Sequence, residues 1–375
     1  MVRTRPVQHK GPVVRRSGGD GDVGVPVPPV RTWVAVTDRR VSIAFQTDQP
    51  FSAYGPMAAT AERHGFDLVS VYNDLLSQSA WLPLLEVARA TRRVVLGPAA
   101  VNPFTCHPVT IAGNAALIDE ASGGRAYLGL ARGAWLDFLG VQPARPVTAL
   151  REAFECIRHL LRRSKEPYRG GVFQLGGGDA LRWNIARPEL PFLLGSWGLR
   201  TIRACIREIA EVKVGGSANP ALVPRYRAEI DAAAVGTGRQ AGDVGLAFGC
   251  VSVVDRDGRA ARALARRKAA PYLGVIADLD PTLGIEPDRL ARIRAAVAAS
   301  DLDGAARDNS DALLDRIAFA GAPDDVAARA DALYAAGVDR VEFGAPHGLT
   351  EADGLRLLGE AVLPALRIKW GVARR

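Results

Sequence analysis

The chain has 375 residues, of which 48% are apolar and 23% charged, with a net charge of +8, so it is long enough to bury a full core and is not a disordered polymer. No stretch reaches the roughly 18 consecutive apolar residues of a membrane span, and the first residues lack the apolar core of a signal peptide, so a soluble, cytoplasmic protein is expected with no membrane partner. Residues 1–40 hold eight basic residues against three acidic ones, so much of the positive excess lies in a tail and no basic, aromatic-studded face suggests a nucleic-acid partner.

That tail, residues 1–40 with SGGDGD and VPVPPV, has no helical or strand period and is expected to be disordered or draped over the rest. From residue 41 the pattern alternates. Strand one is expected at 41–46, a helix near 52–64, and strand two at 67–73. Trp81, Leu84, Leu85 and Ala88 fall at i, i+3, i+4 and i+7, an amphipathic helix leading into strand three at 94–99. Pro108 opens the next helix, which runs to about Glu120 before SGGR turns the chain into strand four, 126–130. A stripe at Leu150, Phe154, Ile157 and Leu161 marks another helix, followed by an aromatic and Gly-rich insertion at about 164–191. Strands five (192–195), six (211–215) and seven (244–254) follow, then an Ala/Arg-rich helical region from 259 to 318 with breaks near 278–281 and 301–309. A last helix enters strand eight around VEF, and Leu355, Leu358, Val362 and Leu366 mark a closing helix. Eight β/α units over residues 41–370 predict a parallel (β/α)8 barrel, an α/β fold whose chemistry sits on the loops after the strands. Cys106, Cys156, Cys205 and Cys250 are scattered without CxxC pairing, which predicts buried free thiols and no metal site.

Three segments, LGPAAVNPFTCHP, LIDEASGGRAYLGLARG and FAGAPDDVAARADALYAAGVDRVEFGAPHG, in this order and spacing, resemble the luciferase-like flavin and deazaflavin oxidoreductases, and within them the methylenetetrahydromethanopterin reductase branch. The resemblance spans roughly 41–368. It implies a barrel with an insertion, coenzyme F420 (a deazaflavin) or alternatively FMN at the C-terminal mouth, and a homodimer. It also implies a bulge with a non-prolyl cis peptide at Ala99–Ala100, so that Ala99, Ala100, Val101 and Asn102 support a flat ring. The other reading of this segment is an ordinary strand end with an Asn102-Pro103 turn.

Asp74 closes strand two, where a carboxylate suits a cofactor hydrogen bond or a catalytic water; alternatively it caps a helix. The family's following His is Leu75 here. Ala131, Arg132 and Gly133 replace a Gly-x-Gly pattern, and Arg132 is either a partner for an acidic group or a surface ion-pair residue. Gly195, Ser196, Trp197 and Gly198 precede a helix, where backbone N–H groups favour an anion and the Trp covers a ring or narrows a pocket. His107 reads as structural. His347 in GAPHG is the better candidate for protonation, making Asp74 and His347 the expected catalytic pair.

Methanopterin reductases carry carboxylates at places where Ala44 and Ala134 stand here, which argues for a different hydride acceptor. Gln46, Trp135, Asp137, Tyr168 and Trp183 are the candidate pocket residues. The leading reading is a reductase passing hydride from the reduced deazaflavin to an activated C=C or C=N bond of a small molecule or modified peptide. An FMN-dependent monooxygenase and a non-catalytic relative are the alternatives.

Overall fold

The computed structural model of the chain describes residues 39–370. The expectation for the tail therefore lies outside the described residues, except that Arg40 opens the first strand instead of ending the tail. The barrel strands are β1 (Arg40–Phe45), β2 (Leu68–Val71), β3 (Val95–Pro98), β4 (Leu128–Ala131), β5 (Phe192–Gly195), β6 (Glu211–Gly215), β7 (Gly245–Val254) and β8 (Arg340–Gly348). They are parallel and run β3-β2-β1-β8-β7-β6-β5-β4, and single bridges Leu96–Ala126 and Val101–Leu130 close β3 onto β4. The strands are buried on both faces, which explains their near-continuous Val, Ile, Leu and Ala composition. Each crossover carries a helix whose apolar stripe seals the outside, as in Pro146–Leu161, where Leu150, Phe154, Ile157 and Leu161 face the core.

The barrel interior is not wholly apolar. Arg340 and Glu342 on β8 and Glu211 and Lys213 on β6 stand two residues apart, so each pair points to one side of its strand. Arg340 donates to Glu211 (3.0 Å to Oε2 from Nε), to Glu342 (2.8 Å) and to Ser42 Oγ (2.6 Å). Ser70 Oγ donates to Glu342 at 2.5 Å and Lys213 closes the network on the same carboxylate. Arg340, Glu211 and Glu342 are fully buried. Burial alone would push the Glu342 carboxyl up, but the ammonium of Lys213 and the guanidinium of Arg340 outweigh it and hold it down to about 2.

Two insertions depart from the minimal barrel. The one expected at 164–191 forms a two-residue antiparallel ladder, Tyr168–Arg169 with Gln174–Leu175, beside Pro146–Leu161. The larger lies after β7, which runs on to pair with a short parallel strand, Ala318–Gly321. Helices Gly258–Ile276, Pro287–Ala298, Leu302–Arg307 and Asp311–Ile317 fill the interval and have their own apolar cluster around Leu273, Ile293, Leu314 and Ile317. No helix among the described residues is long and apolar enough to cross a membrane.

Candidate active site

β3 does not continue straight past Pro98. Ala99 N–H still donates to Val71 O of β2 at 2.9 Å, whereas Val101 N–H donates to Gly129 O of β4 at 3.1 Å. The peptide bond Ala99–Ala100 between them is cis, in the bulge that the resemblance implies. Close approach of the two strands requires Gly129, since a Cβ there would lie 2.3 Å from Pro98 O. Beyond the bulge, the Asn102 carboxamide oxygen accepts from Phe104 N (3.0 Å), Thr105 N (2.9 Å) and Thr105 Oγ1 (3.1 Å), pinning the loop after β3.

The loops after all eight strands enclose one cavity of about 1320 Å³. Gln46, Asp74, Ala99, Ala100, Val101, Asn102, Ala131, Arg132, Gly133, Trp135, Gly195, Ser196, Trp197 and Gly198 all line it, so residues from four separate β/α loops and the end of β1 meet in one place. Gln46 Nε2 donates to Asp74 Oδ2 at 2.9 Å, which orients the carboxylate. Arg132 is exposed, lines the cavity and makes no ion pair with another described residue. Trp197 is fixed at both ends: its indole N–H donates to Gly215 O at 2.8 Å, and its carbonyl accepts from Tyr226 Oη at 2.9 Å.

Two expected site residues are elsewhere. His347 is fully buried and does not line the cavity; its Nδ1 faces Glu351 Oε1 at 2.5 Å, its Nε2 faces Phe343 O at 3.3 Å, and Phe45 packs against its ring edge. Buried off the cavity, the imidazole cannot touch a substrate, so the direct protonation role expected of His347 is corrected. Trp183 does not line the cavity either: the insertion that bears it packs on the barrel flank, where the indole faces Gly113 of helix Pro108–Ser122. Tyr168 lies there too, with its hydroxyl donating to Glu155 Oε2 at 2.7 Å. The anion site expected at Gly195–Gly198 is also weaker than anticipated. Gly198 N–H already donates to Ser196 Oγ at 3.1 Å, and the helix that follows, Leu199–Cys205, has only 7 residues. His107 is structural as expected, accepting from Val109 N at 3.2 Å as the helix cap.

The cavity also holds residues that sequence reasoning missed. Tyr72, directly after β2, lies with Lys213 Nζ 5.0 Å from its ring centroid, and its hydroxyl makes no hydrogen bond among the described residues. Burial raises this phenol well above its ordinary value, and the carboxylate of Glu342 adds to the effect. Its signal was present in VYND, a polar aromatic at a strand end two residues before Asp74. Lys268 and Tyr272, from the insertion after β7, carried no such signal.

Whether a flat ring fits can be judged from the wall itself. Ala99, Ala100, Ala131, Gly195 and Gly215 bring the ends of β3, β4, β5 and β6 to the cavity with nothing larger than a methyl group, and a Cβ built on Gly215 would meet no atom within 4 Å. Such a low surface, with the cation of Arg132 and the oriented carboxylate of Asp74 lining the same cavity, accommodates a planar heteroaromatic with an acidic appendage.

Fold and cavity together define a parallel-barrel enzyme class with its site at the C-terminal mouth. The chain belongs to the luciferase-like monooxygenase family, whose match covers residues 30–340. It is 28% identical over 340 residues to the 5,10-methylenetetrahydromethanopterin reductase of Archaeoglobus fulgidus, covering 88% of this chain and 100% of the relative. The enzyme of the same name from Methanopyrus kandleri is 28% identical over 324 residues, covering 81% and 92%. The structure of the coenzyme F420 dependent tetrahydromethanopterin reductase from Methanopyrus kandleri superposes with a TM-score of 0.81 at 25% identity, covering 88% of this chain and 99% of that one.

Proposed function

We propose that this chain is a coenzyme F420-dependent reductase acting on an activated C=C or C=N bond of an acceptor other than methylenetetrahydromethanopterin. The observation that carries the reading is the side-chain-poor wall at the cis bulge, opening on a cavity larger than the about 300–1,000 Å³ of a typical single-ligand pocket. The likeness to reductases named for F420 and methanopterin supports the cofactor. The acceptor is taken to differ because Ala44, buried in β1, and Ala134, lining the cavity, stand where the resemblance to the methanopterin reductases implies carboxylates.

When bound, the reduced deazaflavin supplies a hydride. The chain's part is to hold donor and acceptor face to face and exclude bulk water. Ala99–Asn102, Ala131 and Gly195 would form the surface for the ring; Asp74, held by Gln46, would accept a hydrogen bond from its edge, and Arg132 would engage an anionic appendage. Tyr72 Oη, at the same cavity, would give the matching proton to the acceptor atom that does not receive the hydride. That hydroxyl stays protonated near neutral pH, and the phenolate left behind regains a proton from water at the mouth.

The test is a spectral titration of the full chain with oxidised coenzyme F420 and, separately, with FMN. Saturable binding of the deazaflavin, weakened about tenfold in Asp74→Ala, is expected. FMN binding with oxygen consumption would instead establish a monooxygenase, and binding of neither would establish a non-catalytic relative.

A further inference from the structure

We propose that the acceptor is a bulky, neutral, apolar molecule held between the Leu76 and Trp135 loops and one face of helix Gly258–Ile276. This rests on the reductase reading above and specifies its substrate class. The helix crosses the cavity with Lys268, Pro271, Tyr272, Val275 and Ile276 at i, i+3, i+4, i+7 and i+8, followed by Leu279. Its C-terminal end is seated on the barrel, since a Cβ on Gly216 would lie 2.6 Å from Ile276 Cδ1. From Pro271 to Leu279 the residues that line the cavity bring no charge to it.

Much of this surface stands open. Tyr272, Val275 and Leu279 are 39%, 59% and 43% exposed, and across the cavity Leu76 and Trp135 are 79% and 52% exposed. Single exposed apolar residues are ordinary on a protein surface, but five around one cavity are a patch with a purpose. Leu76 and Trp135 are also held at φ of 66° and 56°, the left-handed region that residues with a Cβ enter at a cost. Such strain in two loops at the same cavity marks a ligand clamp rather than loose surface.

The size agrees. Pro271 and Ile276 are five positions apart, so the uncharged stretch of the helix is about 7.5 Å long before Leu279 extends it. The cavity of about 1320 Å³ is larger than the about 300–1,000 Å³ of a single-ligand pocket, which leaves room for a second molecule beside the cofactor. The low Ala/Gly wall belongs to the ring, and the apolar face is left for the second molecule, whose reacting bond reaches Tyr72 while its body rests on Val275 and Leu279.

Calorimetric titration of the full chain, with and without oxidised coenzyme F420, tests this with two probes that both carry an activated C=C bond: β-ionone, neutral and apolar, and fumarate, small and dianionic. β-Ionone is expected to bind saturably and about tenfold more tightly than fumarate, and Val275→Asp and Leu279→Asp are each expected to weaken it about tenfold while deazaflavin affinity stays within about threefold of wild type. Both positions are exposed, so the variants keep the fold. Fumarate binding as tightly as β-ionone, or β-ionone binding unchanged in both variants, overturns the proposal. If the wild type binds no deazaflavin yet holds β-ionone through Val275, the reductase reading falls and the apolar pocket stands. If it binds deazaflavin and prefers fumarate, the pocket falls and the reductase reading stands.

Discussion

Gly133 stands where any side chain would drive into the carboxamide of Asn102: a Cβ there would lie 2.9 Å from Asn102 Nδ2, and the glycine's φ is +85°. The loops after β3 and β4 are thereby held in close approach at the low Ala/Gly wall of the cavity. Gly133→Ala would force a left-handed alanine, costing about 1–2 kcal/mol, and displace the group that pins the bulge. A fall in deazaflavin affinity of about tenfold is expected by fluorescence titration, with wild-type affinity counting against the ring placement.

Asp74 and Gln46 form a second pair. Asp74→Ala removes the oriented carboxylate from a partly exposed loop, so the melting temperature should hold while cofactor use drops. Gln46→Leu leaves the carboxylate without its 2.9 Å donor and should give a smaller loss in the same direction. Equal titration curves for all three proteins would take Asp74 out of the site.

The ionic network inside the barrel makes a stability prediction. Arg340→Met leaves Glu211 and Glu342 buried with too little positive charge, and breaking a buried pair in this way costs about 3–5 kcal/mol. Denaturant unfolding should show that loss, because the guanidinium also holds Ser42 and so ties β1 to β6 and β8.

Acid should attack the same network. Glu342 has its folded pKa lowered to about 2 from 4.5, so it contributes stability that is present above about pH 4.5 and lost as pH falls through 2. Stability curves of wild type and Glu342→Gln should therefore be separated by a constant amount above pH 4.5 and converge as the pH falls from 4.5 to about 2. A difference that persists unchanged to pH 2 would refute this assignment.

His347 is buried off the cavity and touches no substrate there. His347→Gln should lower stability by about 1–3 kcal/mol through its lost buried contacts, yet leave the pH profile of turnover unmoved. Tyr72→Phe should do the reverse, slowing turnover while cofactor titration and melting temperature stay near wild type.

Much of the barrel could be read before any coordinates. Strands five and six fall at 192–195 and 211–215 as expected, and the others are displaced at their ends by a few residues. Strand eight is the exception, because β8 runs on through Ala345 and a cis Pro346 to Gly348. That extension buries His347, which the chain order alone placed at the mouth. Likewise the insertion at 164–191 attracts attention by its aromatics, but its hairpin is anchored on helix Pro146–Leu161, whereas the plainer Ala/Arg helix after β7 crosses the cavity.

The chain by itself determined the alternation of β-branched runs with amphipathic stripes, since both periods are local and the apolar face of each element is written within a dozen residues. From that follow the barrel and the loop on which each candidate stands. Tertiary structure alone decided which side chains are wet: closure of β3 onto β4 and the crossing of Gly258–Ile276 set the cavity walls with residues as far apart in the chain as Gln46 and Glu351. The same closure takes Arg340, Glu211 and Glu342 out of water together, and no local pattern can price a charge before its partners are in place.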